Sequence, residues 1–334
     1  MTKRVAVMGA GSWGTAYAAI VADVGHEVTI YARRPEVADG INNQHRNSDY
    51  LPDLVLPPTI RATSDPREAA SEADAVILAV PSQSLRGNLE AWGQHVPSNA
   101  LVVSLMKGIE LGTGMRMSEV IQESGAVDQS RIVVVSGPNL SKEIAAKQPA
   151  ASVVAASDIE AAEAIAAISA APYFRPYTQT DVIGTEIGGA VKNVIALAVG
   201  MAEGLGYGDN TKSSIITRGL AETARLGAAL GADPATLMGL AGVGDLIATC
   251  MSPLSRNHTV GVGLGQGLSV AELSARKHQT AEGVKSCRSV LDLATRHGVD
   301  VPICAGVTAV VEEGMAPSAL ADGLMARARK HEQA

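Results

Sequence analysis

The chain has 334 residues, of which 46% are hydrophobic and 18% charged, and its formal net charge is −7. That length suits two domains with sizeable cores, and the composition excludes a disordered chain. The negative balance argues against a nucleic-acid binder, which needs a basic surface to displace counterions, yet it allows a small anionic ligand held by a few local cations.

In chain order, Val5–Met8 is a short apolar run that reads as a strand. Gly9, Ala10, Gly11, Ser12, Trp13 and Gly14 follow it as GxGxxG, and a helix is predicted from Thr15 to about Val24, closed by Gly25. In that setting Gly9 permits a tight turn, Gly11 lets the backbone approach a pyrophosphate, and Gly14 lets helix and sheet pack closely. The helix start at Ser12 and Trp13 then offers free N–H groups and partial positive charge to the anion. The next strand, Val28–Tyr31, leads to Arg33 and Arg34. No acid stands at its tip to take ribose hydroxyls, whereas two arginines suit a 2′-phosphate. NADP(H) is therefore expected to be preferred, with NAD(H) also accepted.

Ala75–Val80, Leu101–Ser104 and Ile132–Val135 read as strands buried on both faces, with helices at Gln83–Trp92 and Arg116–Glu123. Repeated β-α-β units predict an α/β fold whose N-terminal part is a Rossmann-type, doubly wound parallel sheet with right-handed crossovers. The pattern changes near Thr178–Asp181. Beyond it Ile187, Val191, Val194, Ile195, Ala198 and Met201 recur at helical spacing, and further helices fit Ser213–Leu230, Pro234–Leu240, Val270–Ala275, Ser286–His297 and Cys304–Glu313. Residues 1–180 are thus expected to form a dinucleotide-binding domain and 181–334 an all-α substrate-binding and catalytic domain. One apolar face of the helix Thr185–Leu205 is expected to pack on a second subunit, giving a homodimer. Residues 329–334 are expected to fray.

Cys250, Cys287 and Cys304 show neither paired nor metal-type spacing, which fits a reducing cytoplasm. No signal h-region and no run of about 18 uncharged apolar residues is seen, so no membrane span is expected. The seven histidines have no ligand spacing, so no metal is expected.

Gly189-Ala190-Val191-Lys192-Asn193-Val194-Ile195-Ala196 sets a lysine and an asparagine inside a small, apolar helix. A cation there is unexpected unless it faces a cleft. This segment, with Leu105-Met106-Lys107-Gly108-Ile109-Glu110, Ser136-Gly137-Pro138-Asn139, Gly242-Val243-Gly244-Asp245-Leu246, Ser255-Arg256-Asn257 and Ala281-Glu282-Gly283, closely resembles bacterial NAD(P)-dependent glycerol-3-phosphate dehydrogenase, in family order over nearly the whole chain. The resemblance implies interconversion of sn-glycerol 3-phosphate and dihydroxyacetone phosphate, supplying glycerol 3-phosphate for phospholipid synthesis.

The same resemblance implies the site residues. Lys192 would be the general acid in ketone reduction and the base in alcohol oxidation. Lys107 would bind substrate and orient it by the nicotinamide. Asn193, Asp245 and Thr249 would shape the polar pocket, and Ser255, Arg256 and Asn257 would hold the phosphate, with Arg256 shared with the cofactor. Gly137, Asn139 and Ser141 would border substrate and nicotinamide, Glu282 would contact the cofactor ribose, and Tyr50 would close over the cofactor. Two departures stand out: Gly-Pro-Asn-Leu-Ser replaces the commoner Gly-Pro-Ser-Phe-Ala, and polar Lys277-His278-Gln279-Thr280 precedes Ala281. The competing readings are a related two-domain dehydrogenase of a 3-hydroxy acid or sugar phosphate, and a non-catalytic NADP(H)-sensing module.

The chemistry sets one further expectation. For Lys192 to act as a base near neutrality its pKa must fall from the free value of about 10.4. Burial and neighbouring Lys107 and Arg256 push it down, and Asp245 pushes it up.

Overall fold

The computed structural model describes residues 1–276, 281–328 and 331. The polar segment 277–280 and the tail expected to fray, His331 apart, lie outside the described residues. Eight strands form one sheet: β1 (Arg4–Met8), β2 (Glu27–Tyr31), β3 (Ile60–Thr63), β4 (Ala75–Leu78), β5 (Leu101–Ser104), β6 (Ile132–Ser136), β7 (Ala150–Ala156) and β8 (Phe174–Gln179). Their order is β3-β2-β1-β4-β5-β6-β7-β8. The first six pair in parallel. The sheet departs from the wholly parallel expectation at β7, which runs antiparallel to β6 and parallel to β8.

Seven helices accompany the strands: α1 (Ser12–Asp23), α2 (Pro35–Gln44), α3 (Pro66–Ala70), α4 (Leu85–Trp92), α5 (Met117–Ser124), α6 (Ser141–Ala145) and α7 (Ile159–Ser169). Side chains alternate across a strand, so β1 feeds two layers. Val5 and Val7 pack with α1, α6 and α7, and Ala6 and Met8 pack with α3, α4 and α5. Two helical layers explain why the inner strands are apolar on both faces along most of their length.

After β8 the described chain is helical: α8 (Val182–Gly204), α9 (Asp209–Ala229), α10 (Pro234–Leu237), α11 (Asp245–Met251), α12 (Arg256–Gly265), α13 (Val270–Arg276), α14 (Glu282–Arg296), α15 (Pro302–Glu313) and α16 (Pro317–Met325). The helix predicted over Pro234–Leu240 stops at Leu237, and a π-helical turn, Leu240–Gly244, leads into α11. The cores of α14 and α15 also begin earlier than their apolar patterns suggest, at Glu282 and Pro302.

Helix α8 is the axis of this half. Every residue from Gly184 to Ala202 is buried, against α9, α11, α12, α14 and α15. This corrects the expectation that one of its faces meets a second subunit: its apolar surface is already covered within the chain. By length and composition alone α8 could cross a membrane, as could Pro234–Met251, but 89% of the α8 window and 44% of the other are buried inside the protein. An apolar helix enclosed on all sides is what a core position requires.

Candidate active site

The turn after β1 sits at the crevice where the strand order reverses between β1 and β4. Gly9 has φ 128°, and a side chain there would meet the Ala79 carbonyl oxygen at 2.5 Å. Gly14 faces the Gly9 carbonyl and the Ala79 methyl group so closely that a Cβ would collide with both. Gly11 has open space on its Cβ side, and no side chain caps the start of α1 there. The first N–H groups of α1, from Ser12, Trp13 and Gly14, thus remain available to an anion. Asn47 braces the turn from outside, donating to the Ala10 carbonyl and to Thr15 Oγ1, both at 2.8 Å. Ser12 Oγ donates to the Tyr50 carbonyl at 3.3 Å, which places Tyr50 beside the turn. These features fit a dinucleotide pyrophosphate.

The two arginines after β2 differ. Arg34 is paired with Asp49 and, at 3.8 Å, with Glu36. Arg33 is exposed, with no such partner among the described residues. The sequence treated them as an equivalent pair; the acids that engage Arg34 lie in the following helix and loop. Across the crevice, Glu282 at the start of α14 accepts from Ser82 Oγ at 2.8 Å, which fixes its carboxylate beside the turn after β4.

The polar centre lies beyond the sheet's C-terminal edge, where three separate chain segments converge on Asp245. Its Oδ1 accepts from Lys192 Nζ on α8, and its Oδ2 accepts from Lys107 Nζ, after β5, at 2.7 Å. Lys192 also donates to Thr249 Oγ1 at 2.7 Å, and Lys107 to the Gly137 carbonyl at 2.9 Å. The side chains of Asp245 and Lys192 are only 1% and 9% exposed. The π-helical turn makes this possible by laying its backbone against Gly188, where a Cβ would strike the Ala241 carbonyl.

Burial is the main force on Lys192. It pulls the ammonium pKa down to about 7, Lys107 adds to the fall, and Asp245 opposes it. Cys250, on the same helix as Asp245, is fully buried and its thiol is pushed up to about 12 by desolvation, so it stays a packing residue.

The start of α12 is joined to this centre. Asn257 Nδ2 donates to Asn193 Oδ1 at 2.8 Å, and Asn257 Oδ1 accepts from the Gly283 amide at 2.9 Å. Ser255 caps α12, its Oγ accepting from the His258 amide at 3.3 Å, and Arg256 stands exposed in the first turn. His258 Nε2 lies 3.4 Å from Glu203, away from the lysines' hydrogen bonds. Asn139 donates to Ser152 Oγ at 3.2 Å, while its Oδ1 and the hydroxyl of Ser136 are buried without a protein partner. Ser141 opens α6 just beyond. Among the described residues no cluster of three His, Cys, Asp or Glu could hold a metal ion.

The sequence reading missed a second buried charge on α8, Glu186, which is bonded to Arg116 and Ser118 at the start of α5. Its only signal was an acid in an apolar helix, the same oddity that marked Lys192.

The family profile described as NAD-dependent glycerol-3-phosphate dehydrogenase N-terminus matches residues 4–162, and the profile for the C-terminus of the same family matches residues 181–322. Glycerol-3-phosphate dehydrogenase [NAD(P)+] of Streptomyces griseus is 59% identical over 330 residues, 99% of this chain and 98% of that protein. The enzyme of the same name from Thermobifida fusca is 56% identical, over 100% and 99% of the two chains. The crystal structure of glycerol-3-phosphate dehydrogenase from Coxiella burnetii superposes with a TM-score of 0.93 at 31% identity, covering 98% of this chain and 99% of that one.

Proposed function

The chain belongs to the NAD-dependent glycerol-3-phosphate dehydrogenase family, and from that membership we propose how its own residues carry the reaction. It is an oxidoreductase that interconverts sn-glycerol 3-phosphate and dihydroxyacetone phosphate with NAD or NADP. The observation that carries the assignment of roles is one buried carboxylate, that of Asp245, shared between Lys107 and Lys192.

The reduced nicotinamide supplies a hydride to the ketone carbon. The developing alkoxide then needs a proton and positive charge beside it. Lys192 Nζ, held by Asp245 and Thr249, gives the proton, and in the reverse direction takes it from the alcohol. Lys107 holds the substrate and adds positive potential next to Lys192. Asn193, Asn139 and Gly137 border the reacting carbons, and Ser255, Arg256 and Asn257 hold the phosphate at the start of α12, where helix N–H groups favour an anion. Gly9, Gly11, Ser12, Trp13 and Gly14 cradle the pyrophosphate, with Tyr50, Ser141 and Glu282 around the rest of the cofactor. Residues 1–180 act as the dinucleotide-binding domain and 181–334 as the helical substrate domain. The role in the cell is supply of glycerol 3-phosphate for phospholipid synthesis in the cytoplasm, by a homodimer whose contact lies on a surface other than α8.

The Lys192 pKa gives a signed pH dependence. Reduction needs the protonated amine, so kcat/KM for dihydroxyacetone phosphate falls as pH rises through about 7. Oxidation needs the free amine, so kcat/KM for glycerol 3-phosphate falls as pH drops through the same value. Initial rates in both directions across that range check this, and parallel profiles in the two directions would contradict it.

NADPH preference rests on Arg33. Its guanidinium is exposed at the end of β2, where a 2′-phosphate would sit, while Arg34 is held by Asp49 and Glu36. Arg33→Ala is expected to raise KM for NADPH about 10-fold, the loss of one charged hydrogen bond, and to leave KM for NADH within about two-fold. Arg34→Ala is expected to have the smaller effect. Equal changes for both cofactors with Arg33→Ala would rule out phosphate recognition there.

A further inference from the structure

Glu186 is a buried acid that the proposed reaction does not use. Its side chain is 3% exposed, on α8, less than two helical turns before Lys192. Its carboxylate accepts from Arg116 Nη1 at 2.7 Å, from the Ser118 amide at 2.8 Å and from Ser118 Oγ at 2.6 Å. Every one of these donors belongs to the chain that leaves β5 through Lys107 and enters α5. That chain has little regular structure between the two. It is braced by an isolated bridge between Ile109 and Arg116, and by Gln83, which donates to the Ile109 carbonyl at 2.7 Å and accepts from the Leu111 amide at 2.9 Å. Arg116 in turn is held by Glu119, at 2.8 Å from both its backbone and its guanidinium.

Lys107 therefore stands at one end of a segment whose other end is fastened to the helix that carries Lys192. We infer that Glu186 is a positioning residue for the reaction: by clamping Arg116 and Ser118 to α8 it fixes where Lys107 stands relative to Lys192 and Asp245. A buried carboxylate carries a desolvation cost that simple packing does not demand. Here all its hydrogen bonds go to one segment, and that segment bears one of the two cations that share Asp245. Small displacements of such groups have large kinetic effects, because an error of about 1 Å in orientation can cost on the order of 10²-fold in rate.

The inference rests on the roles proposed for Lys107 and Lys192, and the test separates the two. The variants are Glu186→Ala, Glu186→Gln, Lys107→Ala and the double Glu186→Ala/Lys107→Ala. Each is assayed for kcat and KM with dihydroxyacetone phosphate, for NADPH affinity and for thermal midpoint. Glu186→Ala is expected to lose roughly 10- to 100-fold in kcat/KM with NADPH affinity within two-fold. Glu186→Gln keeps one acceptor oxygen, enough for Arg116 Nη1 and Ser118 Oγ, but turns an NH2 toward the Ser118 amide that the other oxygen served, and it is expected to fall between the parent and Glu186→Ala. Because Glu186 acts through Lys107, the double variant is expected to be little worse than Lys107→Ala alone.

A Lys107→Ala enzyme with parent activity would overturn the site reading itself. An impaired Lys107→Ala enzyme, with Glu186→Ala equal to the parent or with losses that multiply in the double variant, would overturn the clamp and leave the site reading standing. Where Glu186→Ala does not fold, Ser118→Ala removes the 2.6 Å hydrogen bond to Glu186 and the 3.2 Å one from Arg116 Nη1, leaves the bonds from Arg116 and the Ser118 amide to Glu186, and takes its place in the same cycle.

Discussion

Lys192→Ala lowers kcat for dihydroxyacetone phosphate reduction by roughly 10²- to 10⁴-fold, while the dissociation constant for NADPH stays within about two-fold. The size follows from losing both proton transfer and the cation beside the developing alkoxide. The retained cofactor affinity follows from the fold: the glycine turn and α1 lie on the sheet, whereas Lys192 lies on α8 among helical neighbours. The change also frees Asp245 from one of its two lysines, leaving Lys107 alone against it. Lys192→Arg is expected to restore little, because a guanidinium stays charged at any accessible pH and does not fit the small space bounded by Thr249 and Asp245. Steady-state rates, with NADPH binding measured separately, check the prediction. A Lys192→Ala enzyme of near-parent kcat would remove the proton-transfer role.

Gly261→Ala is expected to be the most damaging conservative change away from the chemistry. Helices α8 and α12 approach so closely that a methyl group on Gly261 lands on the Leu197 carbonyl oxygen, with Gly200 Cα 3.0 Å away. The obstacle is backbone on both sides, so no rotamer change relieves it. Overpacking of this kind costs about 1–3 kcal/mol, and here the upper end is expected. The lost stability corresponds to a fall of roughly 5–10 °C in the thermal midpoint at about 2–4 °C per kcal/mol. Because α12 is capped by Ser255 and begins with Arg256 and Asn257, forcing it away from α8 also shifts the end proposed to hold the phosphate relative to Lys192. KM for dihydroxyacetone phosphate is expected to rise about 10-fold, with KM for NADPH nearly unchanged. Gly323 in α16 is the control: nothing stands within 4 Å of its added Cβ, so Gly323→Ala should be neutral or slightly stabilising. A Gly261→Ala protein with the parent's midpoint and KM would mean the two helices can separate freely.

The parts of the fold that could be read in the sequence are those where one local pattern decides the outcome. Strands β4, β5 and β6 are apolar on both faces because helices cover both, and the turn at Gly9 follows β1 directly. Strands β7 and β8 carried no such mark. β7 is built largely of alanine, and β8 contains Arg175, Pro176, Thr178 and Gln179 because it closes the sheet's edge, where a proline removes no needed hydrogen bond. The antiparallel turn between β6 and β7 depends on how the chain returns through α6, which no spacing encodes.

Helix α8 was misread for a related reason. Periodicity counts large apolar side chains, whereas Gly188, Gly189 and Gly200 are buried because other backbones and side chains press against them. In the site, Lys192 and Asn193 were conspicuous as polar residues in an apolar helix. The bridge through Asp245 was not, since it joins positions 107, 192 and 245, far apart in the chain. Arg34 looked equal to Arg33 until Asp49 was brought beside it.

The most direct measurement is the initial rate of dihydroxyacetone phosphate reduction by the purified protein, followed as loss of NADPH and of NADH in parallel. Turnover with both, and a higher kcat/KM with NADPH, is the predicted result. No turnover with either, while NADPH binds, would contradict the account.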